Sequence, residues 1–261
     1  MKTRKLLVGL IFFSFAMVSC SQAGIEEQVL TAQDTLAETE QEKWDLIIWG
    51  DSDMEPAYMF YSDYFEEDLG IRIVTHIETG DIDFIEIENT FKDQELRELI
   101  KEGDIIAFNI PFVRPSTGGA CFDNKKDMVS DGCFDISIDE FTETTQQTIL
   151  EIKSLVGEKG AMIRLQNTFV PLKIFEGIQG SEDRSQNCFE CFAEYYAAQA
   201  VIAAEEGIPL VDVFTLFHGE DHKQDPYENG YISADKMHEN RAGSEEIAKL
   251  YRRVGYEYWK P

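Results

Sequence analysis

Two short segments, far apart in the chain, carry the side chains that could do chemistry: Trp49-Gly50-Asp51-Ser52 near the start and Asp235-Lys236-Met237-His238 near the end. A serine, an aspartate and a histidine are the parts of a nucleophilic acyl-transfer site, in which histidine takes the serine proton and a carboxylate holds the ring. Each segment alone is ordinary, because Gly-Asp-Ser is turn and helix-cap chemistry and an Asp three residues before a His is common. The elements around them give them meaning. Ser52 follows the apolar run Asp45-Leu46-Ile47-Ile48-Trp49, which reads as a buried parallel strand, and open α/β sheets bind ligands at the carboxyl ends of such strands. His238 comes just before a helical pattern from Ala242 to Val254, the last element of the chain.

Between these ends the pattern alternates. Strands are predicted at 45–50, 71–77, 104–110, 160–166 and 208–214, and helices at about 55–69, 90–101, 139–157, 187–206 and 241–254. Gly70, Gly103, Gly157 and Gly207 follow helices as left-handed caps do. Five strand–helix units imply an α/β three-layer sandwich around a five-stranded parallel sheet. Long connections run from Pro111 to Asp139 and from Phe169 to Asn187, on the edge where such loops shape a substrate pocket.

With that order in place, Gly50-Asp51-Ser52 and the block from Asp235 to Gly243, with Ile247-Ala248 beyond it, resemble the first and last blocks of the SGNH (GDSL-like) hydrolases. The last block carries the more specific likeness, Asp-x-x-His-x-Asn-x-x-Gly. The resemblance spans 44–255 and implies a flavodoxin-like SGNH hydrolase fold, with Ser52 as nucleophile, His238 as general base and Asp235 holding its ring. It also implies an oxyanion hole made from the amide of Ser52, the amide of a glycine after the second strand, matched by Gly80, and an asparagine side chain after the third. In the ungapped register Val113 takes the asparagine position, followed by Arg114; Asn109 takes it if the third strand ends early. Losing one such donor typically costs about 2.7–4 kcal/mol of transition-state stabilisation.

The amino terminus has a different character. Lys2, Arg4 and Lys5 precede an uncharged stretch from Leu6 to Val18, the form of a secretory signal and too short for a comfortable membrane span. Met17-Val18-Ser19-Cys20 resembles a bacterial lipobox, which implies cleavage and a lipid on Cys20. Residues 21–43, rich in Glu, Gln, Thr and Ala, read as a disordered tether spanning on the order of 25–30 Å. The expected organisation is therefore a signal at 1–19, a tether at 20–43 and one SGNH hydrolase-like domain at 44–261. The expected location is the cell envelope, at the outer membrane or cell surface, with secretion as the alternative.

The formal charge is −27, and loss of the three basic residues of 1–19 makes it about −30, which argues against nucleic acid and anionic lipid head groups as partners. Four cysteines remain after Cys20. In an exported chain, Cys121 with Cys133 and Cys188 with Cys191 form the simplest of three disulfide connectivities, with a four-cysteine zinc site as the rival. His218 and His222, at i, i+4 beside Asp221 and Asp225, would suit a metal on a helix but read as a solvated polar loop. His76 reads as a satisfied interior or edge residue of the second strand. The acidic run Asp81, Asp83, Glu86 and Glu88 reads as a solvated face rather than a calcium site.

No metal and no cofactor are expected. The residues point to an exported serine ester hydrolase acting on small-molecule or glycan esters, such as O-acetyl groups, through an acyl-enzyme on Ser52. The alternatives are an acyltransferase using the same intermediate, or a glycan-binding protein of the same fold with an impaired oxyanion hole.

Overall fold

Strands that alternate between two apolar faces must be covered on both, and the first strand shows this. In the computed structural model, which describes residues 42–50, 54–79, 90–110, 137–170 and 181–261, Glu40–Pro261 is one compact unit. Strand β1 (Lys43–Gly50) sends Leu46 and Ile48 to one face and Ile47 and Trp49 to the other, all buried. Strand β3 (Ile105–Asn109) repeats the arrangement with Ile105 and Ala107 against Ile106 and Phe108. Continuous burial of this kind is the mark of a parallel sheet coated by helices.

With β2 (Arg72–Thr79), β4 (Met162–Gln166) and β5 (Leu210–Val211), the sheet has the order β2-β1-β3-β4-β5, and every pairing is parallel. Helices α1 (Glu55–Leu69) and α6 (Arg241–Val254) cover one face, through Tyr61, Phe65, Ile247, Ala248 and Tyr251. Helices α2 (Gln94–Glu102), α3 (Ile138–Val156) and α4 (Ser181–Glu205) cover the other, through Ile100, Phe141, Ile149, Phe192 and Ile202. The expected three-layer α/β sandwich with a five-stranded parallel sheet is the fold observed. Its strand order turns back between β1 and β3, the kind of switch point at which open α/β sheets bind ligands beyond the carboxyl ends of their strands.

Helix ends follow local rules. Asp93 accepts hydrogen bonds from the amides of Glu95 and Leu96 to start α2, and Ser137 and Glu140 form a reciprocal capping box at α3. Gly70 closes α1 in the left-handed conformation, at φ 69°. Gly103 departs from the expected left-handed cap: its backbone is extended, at φ −59° and ψ 135°. A Cβ there would lie 2.8 Å from Ile47 Cγ1, so close approach of the α2–β3 connection to β1 is what requires glycine.

Two further expectations need correction. Helix α4 begins at Ser181 rather than 187. The fifth strand ends at Val211 rather than 214, because the Asp212 side chain accepts the Thr215 amide at 3.0 Å and caps a short helix, α5 (Val213–His218).

The chain end is tied back to the sheet. Trp259 bridges Ala161 in antiparallel fashion, and the buried Arg164 of β4 donates to the carbonyls of Gly255 and Glu257 at 2.8 and 3.1 Å. Gly255 caps the carboxyl end of α6, where carbonyl dipoles favour a cation. Burial pulls the Arg164 pKa down, and the neighbouring Tyr61 and Tyr251 oppose that shift.

Candidate active site

Gly50 ends β1 and Asn109 ends β3, on adjacent strands whose preceding residues, Trp49 and Phe108, are register partners. The Asn109 amide lies directly over Gly50. A Cβ at Gly50 would stand 2.0 Å from Asn109 Oδ1 and 2.9 Å from Met54 Sδ, so only glycine leaves room for the asparagine. Asn109 is 2% exposed and sits on the α1/α6 face, continuing the Ile105–Ala107 row. The third strand ends at Asn109, one residue before the expected 110, with Asn109 as its last residue. Val113, Arg114, Ser52 and Gly80 lie outside the described residues.

The second half of the site precedes α6. Residues 231–240 form a small hairpin-like turn: Ile232 bridges Glu239, the Ser233 amide donates to His238 O at 2.8 Å, and the Asn240 amide donates to Tyr231 O at 2.8 Å. Its tip turns through Lys236 at φ 65°, a left-handed conformation uncommon outside glycine. The Asp235 carboxylate divides its work between its two oxygens. Oδ2 lies 2.8 Å from His238 Nδ1, while Oδ1 accepts from Ser233 Oγ at 2.5 Å and from the amides of Met237 and His238 at 2.9 and 3.1 Å.

Two consequences follow for the titrating groups. The bond from Ser233, then those from His238 and the two backbone amides, hold the Asp235 carboxyl far below the usual carboxylate range. An ionised carboxylate can only accept, so the proton of neutral His238 sits on Nδ1 and Nε2 carries the basic lone pair. The His238 side chain is 45% exposed, so a substrate can reach it.

The remaining residues of the Asp-x-x-His-x-Asn-x-x-Gly block have structural roles. Asn240 Oδ1 caps α6 by accepting from Ala242 and Gly243, while its Nδ2 donates to the carbonyls of Gly230 and Ile232 at 2.7 and 3.1 Å. A Cβ on Gly243 would come within 2.5 Å of Tyr231 O, so glycine lets the turn fold onto the helix. Arg241, the first residue of α6, lies over the Phe60 ring of α1 at 5.5 Å, and Tyr251 meets Tyr61 at 4.2 Å. Helices α1 and α6 thus lie side by side with their starts at one end, and the His238 turn shares that end with Met54 and Gly50. Ser233 was missed in the sequence; its only signal was the Ser-x-Asp spacing.

The other candidates separate clearly. His76, on edge strand β2, pairs with Asp45 Oδ1 at 2.8 Å. His218 contradicts the solvated-loop expectation: it is fully buried at the end of α5, with Nδ1 3.0 Å from Gln224 O and Nε2 3.1 Å from the Val170 amide. His222 is half-buried, at φ 55°, with Nε2 3.4 Å from Thr215 Oγ1. Among the described residues no cluster of His, Cys, Asp and Glu could hold a metal ion. Cys188 and Cys191 fall three residues apart within α4; their side chains, together with Cys20, Cys121, Cys133 and the acidic run 81–88, lie outside the described residues.

No protein-family model matches the chain, and no curated protein matches it. Among solved structures it is similar to the lipase Lip_vut3 from a goat rumen metagenome, at 18% identity and a TM-score of 0.54 over 82% of this chain and 98% of that one. It is also similar to an extracellular lipase from Streptomyces rimosus, at 11% identity and a TM-score of 0.49, covering 81% and 99% of the two chains. A peptidoglycan O-acetylesterase gives 13% identity and a TM-score of 0.42 over 70% of this chain and 47% of its own. The likeness to the rumen lipase is one of fold: the chain shares with a lipase the three-layer α/β architecture that frames the Asp235–His238 pair.

Proposed function

We propose that the protein is an exported, lipid-anchored serine ester hydrolase that acts through an acyl-enzyme on Ser52. The observation that supports this most is the Asp235–His238 pair on a braced turn, at the end of the sheet where Asn109 lies over Gly50. Ser52 is two residues beyond Gly50, so chain connectivity alone keeps their Cα atoms within about 7.6 Å.

In the reaction, Ser52 Oγ attacks the ester carbonyl carbon while His238 Nε2 accepts the serine proton. The oxyanion is received by the amides of Ser52 and Gly80 and by Asn109 Nδ2. Collapse breaks the ester C–O bond, and His238 returns the proton to the departing alcohol. Water, deprotonated by the same histidine, then attacks the acyl carbon, and Ser52 leaves with the proton restored. Asp235 stays ionised throughout and stabilises the imidazolium formed in each half-reaction.

The substrates in this reading are carboxylic esters, with O-acetyl groups on glycans as one class and simple lipid esters as another. Export and anchoring rest on the basic and apolar amino terminus and on Cys20; Cys20→Ala should move the protein from membranes to the soluble fraction, and unchanged fractionation would reject the anchor. The central test is turnover of p-nitrophenyl acetate by wild type and Ser52→Ala. A loss of at least about 10³-fold in kcat is expected. Equal rates for the two proteins would sink the proposal.

A further inference from the structure

We propose that Ser233 is a positioning residue for the Asp235–His238 pair, a role that rests on the hydrolase reading above. Its hydroxyl donates to Asp235 Oδ1 at 2.5 Å, on the carboxylate oxygen opposite the one that faces His238. The other donors to Oδ1 are the backbone amides of Met237 and His238, which any sequence would supply. Ser233 therefore provides the side-chain restraint on how the carboxylate is turned.

Rotation about the Asp235 Cβ–Cγ bond is the motion at stake. Both residues of the pair are about half exposed, with side-chain exposures of 51% and 45%, so packing does little to fix the carboxylate plane. A third donor on Oδ1, on the side chain rather than the turn backbone, keeps Oδ2 directed at Nδ1. Charge-assisted O–H···O⁻ bonds are short and strong, so this one both orients the carboxylate and withdraws electron density from it.

Ser233 is also placed to lose its hydroxyl without losing the turn. Its backbone amide donates to His238 O at 2.8 Å and its carbonyl accepts from the Lys236 amide at 3.1 Å, contacts that do not involve the side chain. Ser233→Ala therefore removes one bond from Asp235 and leaves the framework standing.

The sign of the electrostatic effect is fixed. Without the serine donor the Asp235 carboxylate becomes more basic, the His238 imidazolium facing it is favoured, and the imidazole pKa rises. The acidic limb of the pH profile of kcat/KM, which reports that group in the free enzyme, moves to higher pH.

The experiment compares wild type, Ser233→Ala and Ser233→Thr in p-nitrophenyl acetate hydrolysis across pH, with His238 titrated by NMR in the Ser52→Ala background. Expected for Ser233→Ala are a roughly 3- to 10-fold fall in kcat, a KM within about twofold of wild type, and an upward shift of a few tenths of a pH unit in both the kinetic limb and the NMR titration; these follow from loss of one charge-assisted bond. Ser233→Thr, which keeps the hydroxyl, should restore most of each. A wild-type kcat in Ser233→Ala, or a fall in kcat with both pH readouts unmoved, would overturn the proposal. Retained turnover in Ser52→Ala would instead defeat the hydrolase reading, while the NMR titration would still decide what Ser233 does to His238.

Discussion

His238 and His218 both have Nδ1 fixed by a hydrogen bond, and they differ in almost everything else. His238 Nδ1 meets a carboxylate at 2.8 Å on an exposed turn. His218 Nδ1 meets the Gln224 carbonyl at 3.0 Å inside the protein, among Phe189 and Phe214, while its Nε2 accepts from the Val170 amide. In His238 the partner is an anion and the side chain is nearly half exposed, so the charged imidazolium can form during a reaction. In His218 both nitrogens are committed to the backbone, and burial pushes the pKa down to about 4 against weaker opposing influences from Gln224 and Asp225. One histidine is arranged to change its charge. The other is arranged not to, and so holds the connections after β4 and α5 together.

The largest effect should come from removing the anion on which the comparison turns. Asp235→Asn keeps the shape of the side chain but offers His238 a neutral amide, which permits the wrong tautomer and no longer stabilises the imidazolium. A loss of about 10³- to 10⁴-fold in kcat is expected, with Tm little changed because the site is exposed. Steady-state ester hydrolysis alongside thermal unfolding reads both. A loss smaller than tenfold would place His238 in the same class as His218, a structural histidine that happens to lie near a carboxylate.

The buried histidine should show itself in acid rather than in catalysis. Its folded pKa, near 4, lies below the ordinary value of 6.5, so between these pH values the unfolded chain binds the additional proton. The stabilisation is complete above about pH 6.5 and declines as pH falls toward 4, by up to about 3 kcal/mol in all. Urea unfolding from pH 7 to 4 should show this slope in wild type, and His218→Gln, which cannot take up the proton, should have a flatter curve. Parallel curves for the two proteins would mean that carboxylates alone set the acid sensitivity.

These two environments were unequally legible in the sequence. The layers of the fold could be read because β1 from Leu46 to Trp49 and β3 from Ile105 to Phe108 are apolar without interruption and the helices between them keep their period. Asp235 and His238 were picked out because their residue types are chemically specific, and they do meet; Ser52, picked out on the same ground, lies outside the described residues. The end of the sheet was harder, since Leu210-Val211-Asp212-Val213-Phe214 satisfies a strand pattern until the Asp212 side chain turns back to the Thr215 amide. The placement of the Asn109 amide could not be read locally, because what permits it lies on another strand, where Gly50 lacks a Cβ and leaves space. His218 was misread as solvated because the residues after it, from Glu220 to Lys223, are polar; the aromatic side chains that bury it come from α4 and α5, and local sequence carries no trace of the α4 contribution.

The smallest effect asks whether the exposed histidine needs a rigid support, as the buried one has by default. Asn240 connects the His238 turn to α6 with both ends of its amide: Oδ1 takes the Ala242 and Gly243 amides, and Nδ2 reaches back to Gly230 and Ile232. Asn240→Ala should cost about 1–2 kcal/mol of stability, the size of a lost amino-terminal cap, and only a few-fold in kcat. Asn240→Asp separates the two halves. It keeps the acceptor that starts the helix, and places it favourably at the helix amino terminus, but it turns an anion toward two carbonyl oxygens. If the cap is the main contribution, Asp should recover most of the urea midpoint lost in Ala; if the cross-turn donors matter as much, Asp should be no better than Ala and kcat should fall with it. The second outcome would mean that the reach of His238 depends on the chain before it, from Gly230 to Ile232, as well as on the helix behind it.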